Sequence, residues 1–219
     1  LIVMPPTILS RQIRRQMDHC ILALAADPAL PAGRPDAYLS LYWISLTTEA
    51  GPEPLSGHLA YLWIAAVDGG TPTCRVLTDS VGLATGLADR TSAVRWELPG
   101  AWPGPTLARF GRTAASPVAH TWRVEAEDGL VVDATWADLG EPVFATGLTR
   151  DGRSEITTVL VSARSGTLVV DGEAAAGAPF PDPIWTPWFG AEQTSCVMGL
   201  GETIHAPVAA GMRGAADAQ

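Results

Sequence analysis

A chain of 219 residues, 47% of them hydrophobic, is long enough for one domain with a substantial core, because a domain of this size buries roughly 70% of its unfolded-chain surface. Its formal net charge is −9, and all 14 basic residues are arginines, with no lysine and no asparagine. The acidic balance argues against binding to a nucleic-acid backbone, and the lack of lysine excludes Schiff-base catalysis through a side-chain amine.

Cysteine and histidine usage gives no sign of a metal site. The three cysteines and four histidines are scattered without ligand spacing, and an odd number of distant cysteines favours a reduced, cytoplasmic setting. No apolar run approaches the roughly 20 residues of a membrane helix. We therefore expect a cytoplasmic, bacterial protein with no cofactor, no metal, and no nucleic-acid or membrane partner.

The first predicted element is a helix over residues 7–26. Apolar residues recur there at spacings of three and four, as on one face of a helix: Leu9, Ile13, Met17, Ile21 and Leu24. Asp27-Pro28 ends the pattern. We expect this helix to pack across a sheet face or a barrel end, or to act as a movable lid over a cavity.

Extended segments follow the helix. The segment 58–67 is apolar on both faces, so both faces must be covered, and the N-terminal helix is the expected cover for one of them. The glycine-containing stretch 82–87 is ambiguous, and we interpret it as a bulged strand. The predicted strands of this half of the chain are 38–46, 58–67, 73–78, 91–98 and 106–112.

Residues 118–172 indicate an antiparallel meander with three glycine-closed turns, at Glu127-Asp128-Gly129, Arg150-Asp151-Gly152 and Arg164-Ser165-Gly166. A three-residue loop at the first turn gives one apolar face and one polar face, whereas a two-residue loop mixes them, so face consistency selects the longer loop. That register places Trp122 opposite Ala134, pairs Arg123 with Asp133, and puts His120 at the apolar face beside Trp136.

The last part of the chain is a loop, a strand and a tail. The loop 173–190 interleaves prolines with aromatic residues and is stiffened by them. Residues 195–205 form the predicted last strand, in which Gly199 and Gly201 suggest a bulge. Residues 206–219 are expected to be a flexible tail. We therefore predict a single domain over residues 1–219, mainly β: an antiparallel up-and-down barrel of about eight to ten strands over 38–205, capped by the N-terminal helix, with a sandwich as the alternative.

The candidate site residues are aromatic and acid–base side chains. Aromatic walls with a few polar groups typically line small-molecule pockets, and a general acid or base needs a titratable group at such a wall. The substrate-binding candidates are Trp63, Trp122, Trp136, Trp185 and Trp188, with the last two at the rim of a mouth. The catalytic candidates are His120, Glu202 and Tyr42. Packing in the core is the alternative role of each tryptophan.

The hairpins at Glu127, Arg150 and Arg164, with Trp122 and Trp136 on the inner face, resemble a lipocalin-like (calycin-type) barrel. The resemblance covers about a quarter of the chain and includes no diagnostic motif. It implies a cyclase or hydratase of bacterial specialised metabolism, such as antibiotic biosynthesis. The leading hypothesis is a cofactor-free cyclase or isomerase for a hydrophobic polyketide- or polyene-like substrate, including a four-plus-two cyclase. The alternatives are a non-catalytic carrier of an apolar small molecule and a protein-interaction module, and a homodimer is left open.

Overall fold

A computed structural model describes residues 13–27, 35–46, 55–66, 70–87, 102–148 and 154–205. These residues are mainly β, as predicted. The strands are β1 (Ile13–Leu24), β2 (Ala37–Leu46), β3 (Leu55–Ile64), β4 (Thr73–Thr78), β5 (Thr106–Ala115), β6 (Ala119–Ala126), β7 (Val131–Leu139), β8 (Val143–Leu148), β9 (Glu155–Val170), β10 (Glu173–Ala174), β11 (Pro181–Asp182), β12 (Gln193–Thr194) and β13 (Val197–His205). The helices are α1 (Val81–Leu87), a 3-10 helix (Pro183–Trp185) and α2 (Thr186–Phe189).

Strand pairing closes the main sheet on itself. The order is β9-β13-β1-β2-β3-β4-β5-β6-β7, and β7 also pairs with β9, so nine of the described strands form a ring. This ring is the closed wall that the sequence predicts, and it leaves few free edges. Within the ring, β4 and β5 are parallel and share two residue pairs, while the other neighbours are antiparallel.

The predicted N-terminal helix is wrong where the structure describes it, because Ile13–Leu24 is a strand hydrogen-bonded to β2 and β13. Both of its faces are covered: Leu22 points into the core, and Met17 and Ala23 pack on the outer side. A strand buried on both faces has apolar residues at almost any spacing, including three and four, so the helical pattern is not diagnostic. Residues 7–12 of the predicted helix lie outside the described part.

The first predicted hairpin is confirmed. Val124 pairs with Val132 and Arg123 with Asp133, with 2.8 Å between Arg123 Nη1 and Asp133 Oδ2. Gly129 closes the turn at φ 94°, a conformation that glycine adopts without steric cost. The register chosen by face consistency is therefore the one that the chain adopts, and His120 is paired with Trp136.

The predicted turn at Arg164-Ser165-Gly166 is wrong, because β9 runs straight through it for 16 residues. Gly166 serves close packing there: a Cβ at this position would lie 2.9 Å from Cys196 Sγ. Gly166 also pairs with Trp136 on the neighbouring strand β7. The predicted turn at Arg150-Asp151-Gly152 lies outside the described residues, as does the predicted strand 91–98.

The stretch interpreted as a bulged strand is the helix α1, so that interpretation is wrong. Ser80 starts the helix: its Oγ accepts the Leu83 N–H at 3.4 Å and its carbonyl accepts the Ala84 N–H at 3.0 Å, as expected of a serine N-cap. Leu83 and Ala84 are buried against the outer face of the sheet. A short helix that covers a strand from outside accounts for an apolar, glycine-containing run.

The sheet is packed on both sides. Its inner face holds the main core, which includes Leu22, Leu39, Leu62, Trp136 and Leu168. Outside, α1 covers one patch, Phe180 covers a second patch around Tyr38 and Trp63, and the segment around α2 covers a third around Leu160. The predicted bulge in the last strand is present: the β9–β13 register shifts between Leu200 and Thr203, with Gly201 at φ 59°.

Candidate active site at the barrel mouth

One end of the barrel carries polar and aromatic side chains on its inner face. Leu41 of β2 is a core residue, and Trp43, two positions further on, points the same way because strand side chains alternate. Trp43 pairs with Asp18 on one side and with His58 on the other. β5 and β6 complete this end of the barrel. We call the set of inward-facing residues there the mouth: Asp18, Trp43, His58, Phe110, Arg112, His120 and Trp122.

His58 and Asp79 form a carboxylate–imidazole pair. Asp79 Oδ2 lies 2.6 Å from His58 Nδ1, and Asp79 Oδ1 accepts the backbone N–H of His58 at 2.6 Å. Since an ionised carboxylate can only accept hydrogen bonds, it selects the tautomer of the neutral imidazole that carries its proton on Nδ1 and a lone pair on Nε2. Within the described part of the chain, Nε2 has no hydrogen-bond partner. The pair therefore presents an oriented base with a free nitrogen.

The local sequence around Gly57 and Thr78 holds this pair in place. Thr78 Oγ1 donates to the His58 carbonyl at 2.7 Å and accepts the Ser80 N–H at 3.0 Å, which fixes the turn that carries Asp79. A Cβ on Gly57 would lie 2.6 Å from Asp79 Oδ1 and 2.8 Å from Ser80 Cβ. Glycine at position 57 therefore permits the short contact between the carboxylate and the imidazole.

Two aromatic rings flank the imidazole. The His58 ring stacks on Phe110, with ring centroids 5.0 Å apart and planes at 12°, and it lies 5.6 Å from Trp122 at a tilt of 59°. β4, which lies between β3 and β5, ends at Thr78. Beyond that point, the stacked rings of His58 and Phe110 connect β3 directly to β5. The free nitrogen of His58 therefore belongs to an aromatic surface of the kind that binds flat apolar molecules.

Arg112 places a positive charge beside this wall. Its Cζ lies 5.2 Å from the centre of the Trp122 ring, within cation–π range. His120 is half-buried at the same end; burial lowers its pKa, Arg112 lowers it further, and Asp18 opposes the shift. Arg112, Asp18 and His120 thus share one electrostatic environment, and the predicted candidate His120 belongs to the mouth.

Tyr42 and Glu202, the other two predicted catalytic residues, lie on the outer side of the wall and not with His120. Tyr42 stacks on His19, with ring centroids 4.0 Å apart, and His19 Nε2 lies 2.8 Å from Ser40 Oγ. Glu202 is 9% exposed; burial raises its pKa to about 7, and Arg15, with Nη2 3.7 Å from Oε1, opposes the shift. Burial also raises the pKa of Tyr42, and Glu202 adds to it. Tyr42 and Glu202 therefore share one buried cluster behind the sheet.

The five predicted substrate-binding tryptophans are distributed over both sides of the sheet. Trp122 lines the mouth. Trp136 is fully buried in the core, and its Nε1 donates to the Ile21 carbonyl at 2.7 Å. Trp63 is on the outer face in the patch with Tyr38 and Phe180. Trp185 and Trp188 are half-buried and pack on the outer face of the sheet around Leu160. A groove of about 650 Å³ next to Phe180 and Phe189 is lined by neither of them.

Four residues of the site carry no signal in the sequence: His58, Asp79, Phe110 and Arg112. His58 and Asp79 are 21 residues apart and match no motif; only the pairing of Leu59 with Thr78 brings them together. Neither turn chemistry nor a sequence motif specifies that register. An alignment of β3 and β4 by their apolar faces would have revealed that His58 and Asp79 are adjacent.

The described residues offer neither a metal site nor a membrane-spanning helix. No group of three metal-ligating side chains occurs among those residues, and none of their helices has the length and apolar character needed to span a membrane. Cys20, Cys74 and Cys196 are free thiols, and burial raises the pKa of Cys20 and of Cys196 to about 12. These two cysteines are therefore unreactive core residues.

Comparisons with known proteins leave the chain without a family. No protein-family model matches it, and no curated protein matches it. Among solved structures, it is similar to acetoacetate decarboxylase from Legionella pneumophila subsp. pneumophila str. Philadelphia 1, with a TM-score of 0.36 and 10% sequence identity over 90% of this chain and 84% of that chain. The description of the fold and the site is therefore based on this chain's own residues, and the lipocalin-like resemblance stays a prediction.

Proposed function

We propose that this protein is an acid–base catalyst that isomerises or cyclises a small molecule bound at the barrel mouth, with His58 as the base. The observation that carries the proposal is the His58–Asp79 pair, which leaves Nε2 free beside Phe110 and Trp122. A base oriented by a carboxylate at an aromatic wall is well suited to proton abstraction. The cyclase or isomerase for a polyketide- or polyene-like substrate, inferred from the sequence, is the finer form of this proposal.

The proposed reaction begins at a carbon next to a carbonyl group. His58 Nε2 removes the proton, and the electron pair of the C–H bond moves to the carbonyl oxygen to give an enolate. Asp79, which accepts from Nδ1, stabilises the imidazolium that forms. The enolate of a conjugated substrate then takes the proton back from the His58 imidazolium at its γ carbon, which is an isomerisation. Alternatively, it attacks a second carbonyl carbon of the same molecule, whose π electron pair moves to oxygen and takes the proton from the imidazolium, which is a cyclisation.

The aromatic wall supports the proposal because it limits how a substrate can lie. Trp122 is 7% exposed and sits at the boundary between the core and the mouth. A flat conjugated molecule stacked there has its edge directed to His58, and holding the reacting atoms in position is itself a large part of catalysis. The proposal therefore assigns Trp122 to substrate binding, the role that the sequence predicts for it.

The test uses 5-nitrobenzisoxazole, a flat aromatic carbon acid. A base removes its single acidic ring proton, the N–O bond breaks, and the coloured 2-cyano-4-nitrophenolate is released. The wild-type protein should open this ring faster than an equal concentration of free imidazole, by about 100-fold or more, which is the contribution expected of a positioned base. His58→Gln should remove that excess, and Asp79→Asn should remove most of it.

Two matched variants make the test specific. His120→Gln removes the other imidazole of the mouth and should leave most of the rate in place. Asp133→Asn removes a carboxylate from the outer ion pair with Arg123 and should have no effect. A rate equal to that of free imidazole, or one that survives His58→Gln, would contradict the proposal. Binding without ring opening would favour the carrier alternative.

A further inference from the structure

Arg112 is the basic residue of the mouth, and it forms no ion pair with the described residues. Its guanidinium is exposed and lies over Trp122. The described part of the chain offers it no ion pair and no hydrogen bond. By contrast, Arg109 on the same strand is held by Glu125, with 2.8 Å between Nη2 and Oε2. Alternate residues of a strand point to opposite sides, so Arg109 faces outward and Arg112 faces the mouth.

The acidic groups of the mouth are already engaged. Asp18 Oδ1 accepts the Gly201 N–H at 2.8 Å, and both carboxylate oxygens of Asp79 accept from His58. Neither carboxylate forms an ion pair with Arg112 among the described residues. In a chain of net charge −9, a cation beside an aromatic cluster and without an ion pair among the described residues stands out from its surroundings. It would bind an anionic group of a ligand.

The position of Arg112 over the Trp122 ring also limits the shape of that ligand. A guanidinium lying over an indole is held in place by the ring and still presents its edge donors. Those donors match the two oxygens of a carboxylate, which they can bind as a two-point contact. A molecule stacked beside His58 and Phe110 would direct its acidic end to Arg112 and its flat body to the aromatic wall.

We infer that the ligand of this site is a flat, conjugated carboxylic acid, held through its carboxylate by Arg112. This inference rests on the proposed function for the location of the site and adds the chemical class of the ligand. It makes Arg112 a specificity-determining residue that touches the ligand, and His58 the residue that acts on it.

The experiment compares 2-naphthoate with 2-naphthamide, which have the same ring system and differ in charge. Isothermal titration of the full chain should show that the acid binds at least about ten-fold more tightly than the amide, since hydrogen bonds to charged groups are markedly stronger than those to neutral ones. Arg112→Gln should make the two affinities equal, and Arg112→Lys should keep only part of the preference. The affinity of the acid should also fall with added salt, while that of the amide should not.

Two controls separate this inference from the proposed function. Arg109→Gln makes the same chemical change on the outer face of β5 and should keep the preference for the acid. Gly111→Ala, next to Arg112 on the same strand, adds a Cβ that meets no atom within 4 Å and should keep it too. If the preference persists but ring opening of 5-nitrobenzisoxazole is absent, the proposed function fails and the ligand class stands. Equal affinity of acid and amide for the wild type, or a preference that survives Arg112→Gln, would overturn the inference.

Discussion

Glu202 makes the stability of this protein depend on pH in a way that one substitution can isolate. Burial raises the pKa of this carboxyl from its usual 4.5 to about 7 in the folded state. As pH rises above 4.5, the unfolded chain therefore loses the proton before the folded chain does, and the folded state is penalised. The penalty is absent well below pH 4.5 and reaches its full size above pH 7.

The size of the effect follows from the shift. Each pKa unit corresponds to 1.36 kcal/mol, so the free energy of unfolding should lose about 2–3 kcal/mol through Glu202 between pH 5 and pH 8. Glu202→Gln keeps the shape and polarity of the side chain but cannot ionise. The difference in unfolding free energy between this variant and the wild type should therefore grow by that amount over the same range, in favour of the variant.

Urea unfolding followed by tryptophan fluorescence, at unit pH steps from 5 to 8, measures this difference. The pH-dependent contributions of other groups to the unfolding free energy largely cancel in this difference, because both proteins contain them. His19, whose pKa is lowered to about 3 by burial, is one such group. Glu125→Gln is the matched control. Arg123 and then Arg109 lower the pKa of the half-buried Glu125, so that variant should gain no stability as pH rises. A Glu202→Gln difference that stays constant from pH 5 to pH 8 would refute the assignment of a protonated carboxyl in the fold.

Two further substitutions test the packing around the site and the core. Gly57→Ala should displace Asp79 and lower the ring-opening rate about as much as Asp79→Asn does. Gly111→Ala is the control and should keep the rate, because its added Cβ meets no atom within 4 Å. Equal rates for both variants would contradict the role of Gly57. Trp136→Phe removes the donor to the Ile21 carbonyl and leaves a void, so it should lower the free energy of unfolding by about 2–4 kcal/mol. The half-buried Trp188→Phe should cost much less, and a similar loss for both in urea unfolding would refute the central role of Trp136.

The local parts of the fold could be predicted from the sequence, and the long-range parts could not. The hairpin at Gly129 follows from one turn and from the agreement of two short faces, which are properties of neighbouring residues. β1 could not be recognised because a strand covered on both faces shows no alternation, and its partners β2 and β13 are set by the whole sheet. The prediction of a turn at Gly166 was wrong for a related reason. That glycine makes room for Cys196, which is distant from it in the sequence.

The residues of the candidate site divide in the same way, into those that depend on local pairing and those that depend on long-range pairing. Trp122 and His120 were found because they belong to a hairpin whose register the sequence predicts. His58 and Asp79 were missed because their contact depends on pairing between β3 and β4. Tyr42 and Glu202 were selected for their residue types, and their outward direction depends on which face of the closed ring is the inside. The chemistry-bearing residues were thus present in the sequence, but the ring determines which of them meet.

The junction of β4 and β5 explains why the pair lies where it does. Elsewhere in the described ring, neighbouring strands run antiparallel along most of their length, but β4 and β5 are parallel and share only Leu77–Thr106 and Thr78–Leu107. Past Thr78 the backbone leaves the sheet for α1, and the stacked rings of His58 and Phe110 occupy the space between β3 and β5. Because backbone pairing stops there, side chains of β3 and β5 can meet directly, and the His58 ring lies on Phe110 while it is hydrogen-bonded to Asp79. The place where strand pairing ends is therefore the place where an acid–base site can form.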